Sequence, residues 1–209
     1  MAKNNAENVG AAKPKIGGCI YRAPLGTTLP TNATSELAEA FVNQGYISDD
    51  GITESEERDT DEKKAFGGDV VARPQTSYSK SYNFTFIETN EEVMKTRYGS
   101  ENVSGDYDTT GLVIKHTSKE LERAVWVIDL LINDNLLIRK VIHNGQISET
   151  GEINYQDGEL VAYEVTMNTF PDENSVYVYE YQAHKSASST PVTPTPGNED
   201  SQNETDQEV

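Results

Sequence analysis

An alternation of side chains with a period of two residues runs from Tyr78 to Phe86, and it constrains the fold of this chain more than any other feature. Successive side chains of a β-strand point to opposite faces, so this pattern predicts a half-buried strand. Leu112, Ile114 and His116 repeat the pattern on a shorter scale. One predicted face of the long strand carries Tyr78, Lys80, Tyr82, Phe84 and Phe86, and the other carries Ser79, Ser81, Asn83 and Thr85.

The sequence after residue 120 predicts an antiparallel meander of five strands, which would form the core of a sandwich or open barrel. Asn144-Gly145 is the strongest turn signal, because Asn-Gly readily takes positive φ at both positions of a two-residue hairpin. The last strand would place Tyr177, Tyr179 and Tyr181 on one face. The predicted strands cover 122–132, 136–143, 146–155, 160–170 and 177–181, separated by turns at 133–135, 144–145, 157–158 and 171–174.

Two short helices are predicted to flank the strands. Thr34 or Ser35 would cap the first, which carries Phe41 on its apolar face and ends at Gly45. Thr89 and Glu92 fit a capping box for the second, and Gly99 would end it. The predicted fold class is therefore mainly β: a β-sandwich or open barrel of antiparallel strands with one or two short flanking helices.

Composition divides the chain into three parts. Residues 1–15 are small and polar and predict a flexible N-terminal arm, and residues 16–185 form the β domain. Residues 186–209 are rich in Ser, Thr and Pro, with five acids and no base, which predicts a disordered acidic tail. Within the domain, Asp49 to Glu62 holds eight acids and one base, so residues 49–75 are predicted to be a long solvated loop with a functional role.

Charge and composition exclude several function classes. The 209 residues carry a net charge of −18, which would repel phosphates and opposes tight binding to a nucleic-acid backbone. No segment approaches the roughly 20 apolar residues of a membrane helix, and the first residues lack the apolar centre of a secretory signal. The single cysteine, Cys19, cannot form an intrachain disulfide and fits synthesis in a reducing cytoplasm, with a role in packing.

No catalytic, metal-binding or cofactor-binding motif emerges. His116, His143 and His184 lie in separate elements at spacings that match no zinc site. The segment from Asp106 to Gly111 resembles part of a calcium loop, but Thr117 stands where that loop needs a glutamate, so a turn is the better interpretation. We predict a chain without enzymatic activity, metal or cofactor.

Residues 17–98 resemble the major tail tube proteins of long-tailed, non-contractile bacteriophages. Three segments carry the resemblance: Ala23–Thr31 (APLGTTLPT), Gly45–Thr53 (GYISDDGIT) and Phe84–Asn90 (FTFIETN). Phe66 precedes the paired glycines at 67 and 68, where a tryptophan is common in such sequences.

The resemblance implies a structural role in the virion. Proteins of that family form a β-sandwich flanked by a helix and assemble into hexameric rings that stack into a tube. DNA passes through the lumen during ejection, and tape-measure protein occupies it beforehand. The implied partners are further copies of the chain, tape-measure protein, and tail-tip and terminator proteins; no membrane is involved.

The resemblance also implies that a long loop and a terminal arm bridge successive rings. Lysines of the arm would pair with acids of the adjacent ring, and the strand from Ala124 to Ile132, apolar on both faces, would meet something outside its own subunit. The predicted subunit or ring interface comprises Lys13, Lys15, Asp49, Asp50, Arg58, Lys63, Lys64, Phe66, Gly67 and Gly68.

Two alternatives remain open from the sequence. The chain could be a related tube-fold protein, such as a contractile-tail or secretion tube or a tail terminator. It could also be a soluble β-sandwich module that binds carbohydrate on the Tyr177 to Tyr181 face, although Tyr also suits a packed sheet face. Polymerisation would separate the tube proteins from a carbohydrate-binding module.

Overall fold

A computed structural model of the protein describes residues 4–6, 9–15 and 17–185. The predicted tail at 186–209 lies outside the described residues. The helix α1 spans Glu91–Tyr98 and a 3₁₀ turn follows at Ser100–Asn102. The described strands are β1 (Ala12–Pro14), β2 (Ile20–Pro24), β3 (Val42–Asn43), β4 (Ile47–Thr60), β5 (Lys63–Lys64), β6 (Val70–Ala72), β7 (Gln75–Phe86), β8 (Val103–Asp106), β9 (Gly111–Ile114), β10 (Arg123–Ile132), β11 (Leu136–Thr150), β12 (Tyr163–Thr169) and β13 (Tyr179–His184).

The main sheet is antiparallel and has the strand order β3-β2-β10-β11-β12-β7-β4, with β1 on β10 and β13 on β11. The Phe84 ring on β7 lies 6.5 Å from the Trp126 ring on β10, although β11 and β12 separate their strands. In a flat sheet, β7 and β10 would be three strand spacings, or about 14 Å, apart. The sheet therefore curls around its core, and the predicted mainly β, antiparallel fold with a short flanking helix is confirmed.

The predicted Asn144-Gly145 hairpin is wrong. β11 runs without a break from Leu136 to Thr150, its first half pairing with β13 and its second half with β12. Gly145 serves close packing instead of a turn: an added Cβ would lie 2.8 Å from Trp126 Cδ1 and 2.9 Å from Met167 Sδ. After Thr150 the chain is irregular up to Tyr163, so the separate strand predicted at 146–155 does not form.

Other predicted turns form. Asn133 and Asp134 take positive φ values of 49° and 56° and join β10 to β11 in a tight hairpin. The segment from Asp106 to Gly111 is the turn between β8 and β9. The Asp106 carboxylate accepts hydrogen bonds from the backbone N–H groups of Asp108 and Thr109. These bonds engage the carboxylate within the turn.

The first predicted helix, from Thr34 or Ser35 to Gly45, is also wrong. Asn32 Oδ1 accepts hydrogen bonds from the backbone N–H of Thr34 at 2.9 Å and of Ser35 at 2.6 Å. The segment nevertheless stays irregular up to β3, and the backbone carbonyls of Asn32 and Ser35 accept hydrogen bonds from Arg139. Its apolar side still packs inward, with Phe41 buried.

The second helix forms, with a different cap from the predicted box. Asn90 is its N-cap, and its Oδ1 accepts a 2.8 Å hydrogen bond from Val93 N. Thr89 Oγ1 instead lies 3.0 Å from the Tyr163 hydroxyl. Gly99, at φ 92°, ends the helix as predicted.

Both faces of β10 are buried within the chain itself. The inner face places Trp126 and Ile128 in the main core, while the outer face packs Val125 and Val127 into a second cluster. The irregular segment at 25–41 covers that second cluster. The apolar outer face of β10 is therefore covered by its own subunit, contrary to the expectation that it meets something outside.

Candidate assembly surface

The long hairpin consists of β4, β7 and the connecting residues 61–74, and its outer part is exposed. Residues 53–77 are all exposed, although β4 and β7 pair in register from Thr53 opposite Asn83 to Asp59 opposite Ser77. The predicted solvated loop at 49–75 is therefore largely a β-ladder. Cross-strand polar pairs support it where apolar burial is absent: Glu56 lies opposite Lys80, and Ser77 Oγ donates to Asp59 Oδ2 at 2.6 Å.

The tip of the long hairpin, residues 61–74, presents an aromatic ring to solvent. β5 and β6 pair there, and Gly67 and Gly68 turn the chain at φ 113° and 101°. Phe66 is fully exposed, and Val71 is also largely exposed. The structure thus brings together the predicted interface residues Lys63, Lys64, Phe66, Gly67 and Gly68 at one end of the hairpin.

The charges of the tip mostly pair with one another. Lys63 Nζ lies 2.5 Å from Asp61 Oδ2, and Arg73 Nη2 lies 2.8 Å from Glu62 Oε1. Asp69 differs, because its carboxylate has no ion-pair partner within the described ranges. The tip therefore offers an apolar ring and a free acid three residues apart.

A charged cluster holds the base of the long hairpin against β11 and β13. Lys140 Nζ lies 2.8 Å from Glu54 Oε2, and Lys140 also pairs with Glu180. Lys80 belongs to the same cluster, because its ammonium group also pairs with Glu54. Burial raises the pKa of Glu54, but hydrogen bonds from Lys140 and Lys80 outweigh it, so the pKa is lowered overall.

An aromatic contact braces one side of the hairpin. The Arg58 guanidinium lies 4.5 Å from the centre of the Tyr78 ring, and that ring meets Tyr177 edge-on at 4.7 Å. Arg58 also donates to Glu56 at 2.8 Å. The predicted interface residue Arg58 is therefore engaged within its own chain, and Tyr177 is a packing residue of the hairpin base.

The predicted arm lies partly in the sheet. Of residues 1–15, the structure describes 4–6 and 9–15, and Ala12–Pro14 pairs with β10 as β1. Lys13 lies 3.7 Å from Asp134, and Lys15 lies 3.1 Å from the buried Asp129. Both lysines pair with acids of their own chain, and their pairing with an adjacent ring stays a prediction.

Comparison with known proteins identifies the family. A family model described as phage tail tube protein matches residues 1–192. The chain belongs to the phage tail tube protein family. The resemblance noted in the sequence is thereby confirmed, and the family places the protein in the tail of a phage virion.

Two solved structures show a weak overall likeness to this tail tube protein. The anti-feeding prophage cap, a tube terminating cap, aligns over 85% of this chain and 97% of its own with 10% identity and a TM-score of 0.42. A sheath/tube terminator of an extracellular contractile injection system aligns over 80% and 96% with 12% identity and a TM-score of 0.38. No curated protein matches the chain in sequence.

The tail tube protein also carries a groove that no sequence pattern indicated. This edge groove, of about 510 Å³, lies beside the short edge strand β3. Leu25 and Val42 are exposed there. Its residues come from β2, β3, β10, α1, the segment at 25–41 and the positions Ser100 and Glu122, which no local pattern connects. The residues used below are Arg22, Pro24, Leu25, Ala40, Val42, Lys95 and Arg123.

The remaining predicted residues keep separate places. Asp49 and Asp50 are exposed near the start of β4, where Ser48 Oγ donates to Asp50 Oδ2 at 3.2 Å. Tyr179 packs in the second cluster, and its hydroxyl donates to Asp172 at 2.5 Å. Cys19 is buried, and burial, with a contribution from Asp129, raises the pKa of its thiol to about 12.

Neither a membrane helix nor a metal-ligand group is found in the described part of the chain. No helix there is both long enough and apolar enough to cross a membrane. No cluster of three or more His, Cys, Asp or Glu side chains there has a geometry suited to a metal ion.

Proposed function

We propose that this tail tube protein is the subunit that polymerises into the tail tube of a long-tailed, non-contractile phage. Six subunits would form a ring, and stacked rings would form the conduit through which DNA is ejected. The long hairpin would join one ring to the next. The family match supports a tube component, and the hairpin supports the mode of stacking.

The observation that carries the proposal is the full exposure of Phe66 at the end of a hairpin whose outer part, residues 53–77, is exposed throughout. An aromatic ring held in water contributes nothing to the stability of the isolated subunit. Val70 and Val71 of the tip are exposed together with Phe66. Groups of exposed apolar side chains mark interaction sites, and aromatic anchors dominate interface energetics. The tip is therefore suited to bind another protein surface.

The charge of the chain suits a conduit. At a net charge of −18, an assembled wall would repel the phosphates of passing DNA, so the polymer would not adhere. Tape-measure protein would occupy the lumen before ejection, and tail-tip and terminator proteins would close the two ends. The DNA contact would be without sequence specificity.

The structure offers no specific support for the carbohydrate-binding alternative. A sugar platform needs exposed aromatic faces, whereas Tyr177 contacts Tyr78 and Tyr179 packs in the second cluster. We therefore keep a single proposed function, for which polymerisation is the decisive property.

Negative-stain electron microscopy and sedimentation of the concentrated protein would test the proposal. The full chain should give hollow tubes of uniform width. A variant with residues 61–74 replaced by Asn-Gly should fold, because Thr60 and Gln75 are already paired, but should give no tubes. Tubes at equal yield from that variant would refute the role of the hairpin. Single rings that never stack in the full chain would favour a terminator.

A further inference from the structure

We infer that the edge groove is the receptor for the hairpin tip of another copy, with Phe66 entering the groove and Asp69 pairing with Arg123. This inference rests on the proposed function, because it names the surface that the hairpin tip of one subunit contacts on the next subunit. The occupant is a second copy of this chain.

The shape and lining of the groove fit an aromatic ring. Pro24, Leu25, Ala40 and Val42 supply apolar surface within a volume of about 510 Å³, enough to admit the Phe66 side chain. Leu25 and Val42 are exposed in the isolated subunit. Covering them with Phe66 would remove apolar surface on both partners from water.

The charges of the groove are complementary to the acid of the tip, although the chain as a whole is acidic. Arg22, Lys95 and Arg123 bring three cations to the groove. Arg22 pairs with Glu122, and Lys95 pairs with Glu91 and Glu92. Arg123 has no acidic partner within 4.0 Å among residues 4–6, 9–15 and 17–185, and its guanidinium lies 3.9 Å from the centre of the Phe170 ring.

Asp69 is the matching group on the tip. It is exposed, three residues from Phe66, and likewise without an ion-pair partner in the described chain. Docking of Phe66 would therefore bring Asp69 towards Arg123, which stacks on Phe170 and has no acidic partner among the described residues. Electrostatic pairing of this kind fixes register and excludes wrong partners more than it adds affinity.

Charge reversal tests the pairing. Asp69→Arg and Arg123→Asp, each alone, should raise the critical concentration for tube formation at least about tenfold, the effect expected when an interface contact becomes repulsive. The two changes in one chain should restore assembly to within a few-fold of the wild type, because the base introduced on each tip then meets the acid introduced in a neighbour's groove. A double variant as defective as the single variants would overturn the pairing.

A second pair of variants tests the groove itself. Leu25→Glu would place an acid where Phe66 docks, and it should block assembly while leaving the melting temperature of the monomer unchanged. Leu160→Glu is the matched control, because Leu160 is also exposed but lies outside the groove. Equal assembly of the Leu25→Glu variant and the control would overturn the docking site.

These outcomes separate the inference from the proposed function. If Phe66→Ala abolishes tubes and the groove variants do not, the proposed function stands and the docking site is wrong. If the wild-type chain remains monomeric under all concentrations that the measurement reaches, both are contradicted.

Discussion

Asp129 and Arg139 lie directly opposite each other on β10 and β11 and form a buried two-point ion pair. Arg139 Nε and Nη2 donate to the two carboxylate oxygens of Asp129, each at 2.7 Å. The third guanidinium nitrogen donates to the backbone carbonyls of Ser35 at 2.8 Å and Asn32 at 3.3 Å. This pair therefore ties the irregular segment at 25–41 to the sheet that it covers.

We predict that Arg139→Met lowers the free energy of unfolding by about 3–5 kcal/mol, because it leaves the Asp129 carboxylate buried beside only one remaining cation. Lys15, at 3.1 Å, is that cation and should keep the loss near the lower figure. Urea unfolding followed by circular dichroism would measure it. Lys119→Met is the matched control, since the Lys119–Glu101 pair is exposed on both sides and should cost at most about 1 kcal/mol. Equal losses in the two variants would contradict this stabilising role of the Asp129–Arg139 ion pair.

Gly145→Ala should destabilise the protein by about 1–3 kcal/mol, since the new Cβ would overlap Trp126 and Met167 in a closely packed core. Trp126 is the chain's single tryptophan, so its emission would report the disturbance directly. Gly158→Ala adds a Cβ that meets nothing within 4 Å, and although its φ of 83° strains the backbone there, it should leave that emission unchanged. A Gly145→Ala variant with wild-type emission and stability would refute the packing role.

Side-chain periodicity predicted the strands well where one face is buried. The alternation from Tyr78 to Phe86 is recovered in β7, with Tyr82, Phe84 and Phe86 buried. The strand predicted at 160–170 forms in part as β12, with Tyr163, Val165 and Met167 buried. Period-two patterns depend on burial, and burial is what these strands share.

Local signals failed where tertiary contacts outweighed them. Asn144-Gly145 has a strong turn preference, yet pairing on both sides and the Trp126 ring hold it in a strand. The segment from Ser35 to Phe41 does not form its predicted helix, and the Ser35 carbonyl instead accepts a hydrogen bond from Arg139, which lies 104 residues beyond Ser35 in the chain. No local pattern encodes such distant partners.

The candidate surface was found in part. Phe66, Gly67 and Gly68 were predicted together and lie together at the tip. The ladder beneath them was missed, because β4 from Thr53 to Thr60 is composed of charged and small polar residues and carries no apolar stripe. Its signal lay in the pairing of Glu56 and Lys80, which becomes visible only once β7 is placed beside it.

Acid should loosen the base of the long hairpin. Burial raises the pKa values of Glu54 and Glu180, but hydrogen bonds, Lys140 donating to both, outweigh it and leave both pKa values lower than that of an ordinary glutamate. A carboxylate with a lowered pKa stabilises the fold above its unfolded pKa and loses that effect as pH falls through the folded one. We therefore predict that the stability difference between the wild type and Glu54→Gln is largest near neutral pH and shrinks as the pH falls below about 4.3, the ordinary pKa of glutamate. Melting curves from pH 7 to pH 3 would measure it, and a difference that stays constant over this range would contradict the assignment.

Phe66→Ala should weaken assembly more than Arg58→Ala does. The stability of the isolated monomer should follow the reverse order, with Arg58→Ala the less stable variant. Phe66 is fully exposed, so its loss should leave the monomer's melting temperature unchanged while removing the anchor of the contact. Arg58 contacts Tyr78 and Glu56 within its own hairpin, so its loss should lower monomer stability by up to about 1 kcal/mol and affect assembly less.

Sedimentation and calorimetry on the same samples would give both orders, and the reverse order in assembly would count against Phe66 as the anchor.

Phe66→Trp completes the series. A large aromatic ring at the tip should retain tube formation, because the contact depends on buried aromatic area and not on phenylalanine itself. Retention in Phe66→Trp together with loss in Phe66→Ala would separate a requirement for an aromatic anchor from a requirement for the backbone geometry that Gly67 and Gly68 impose.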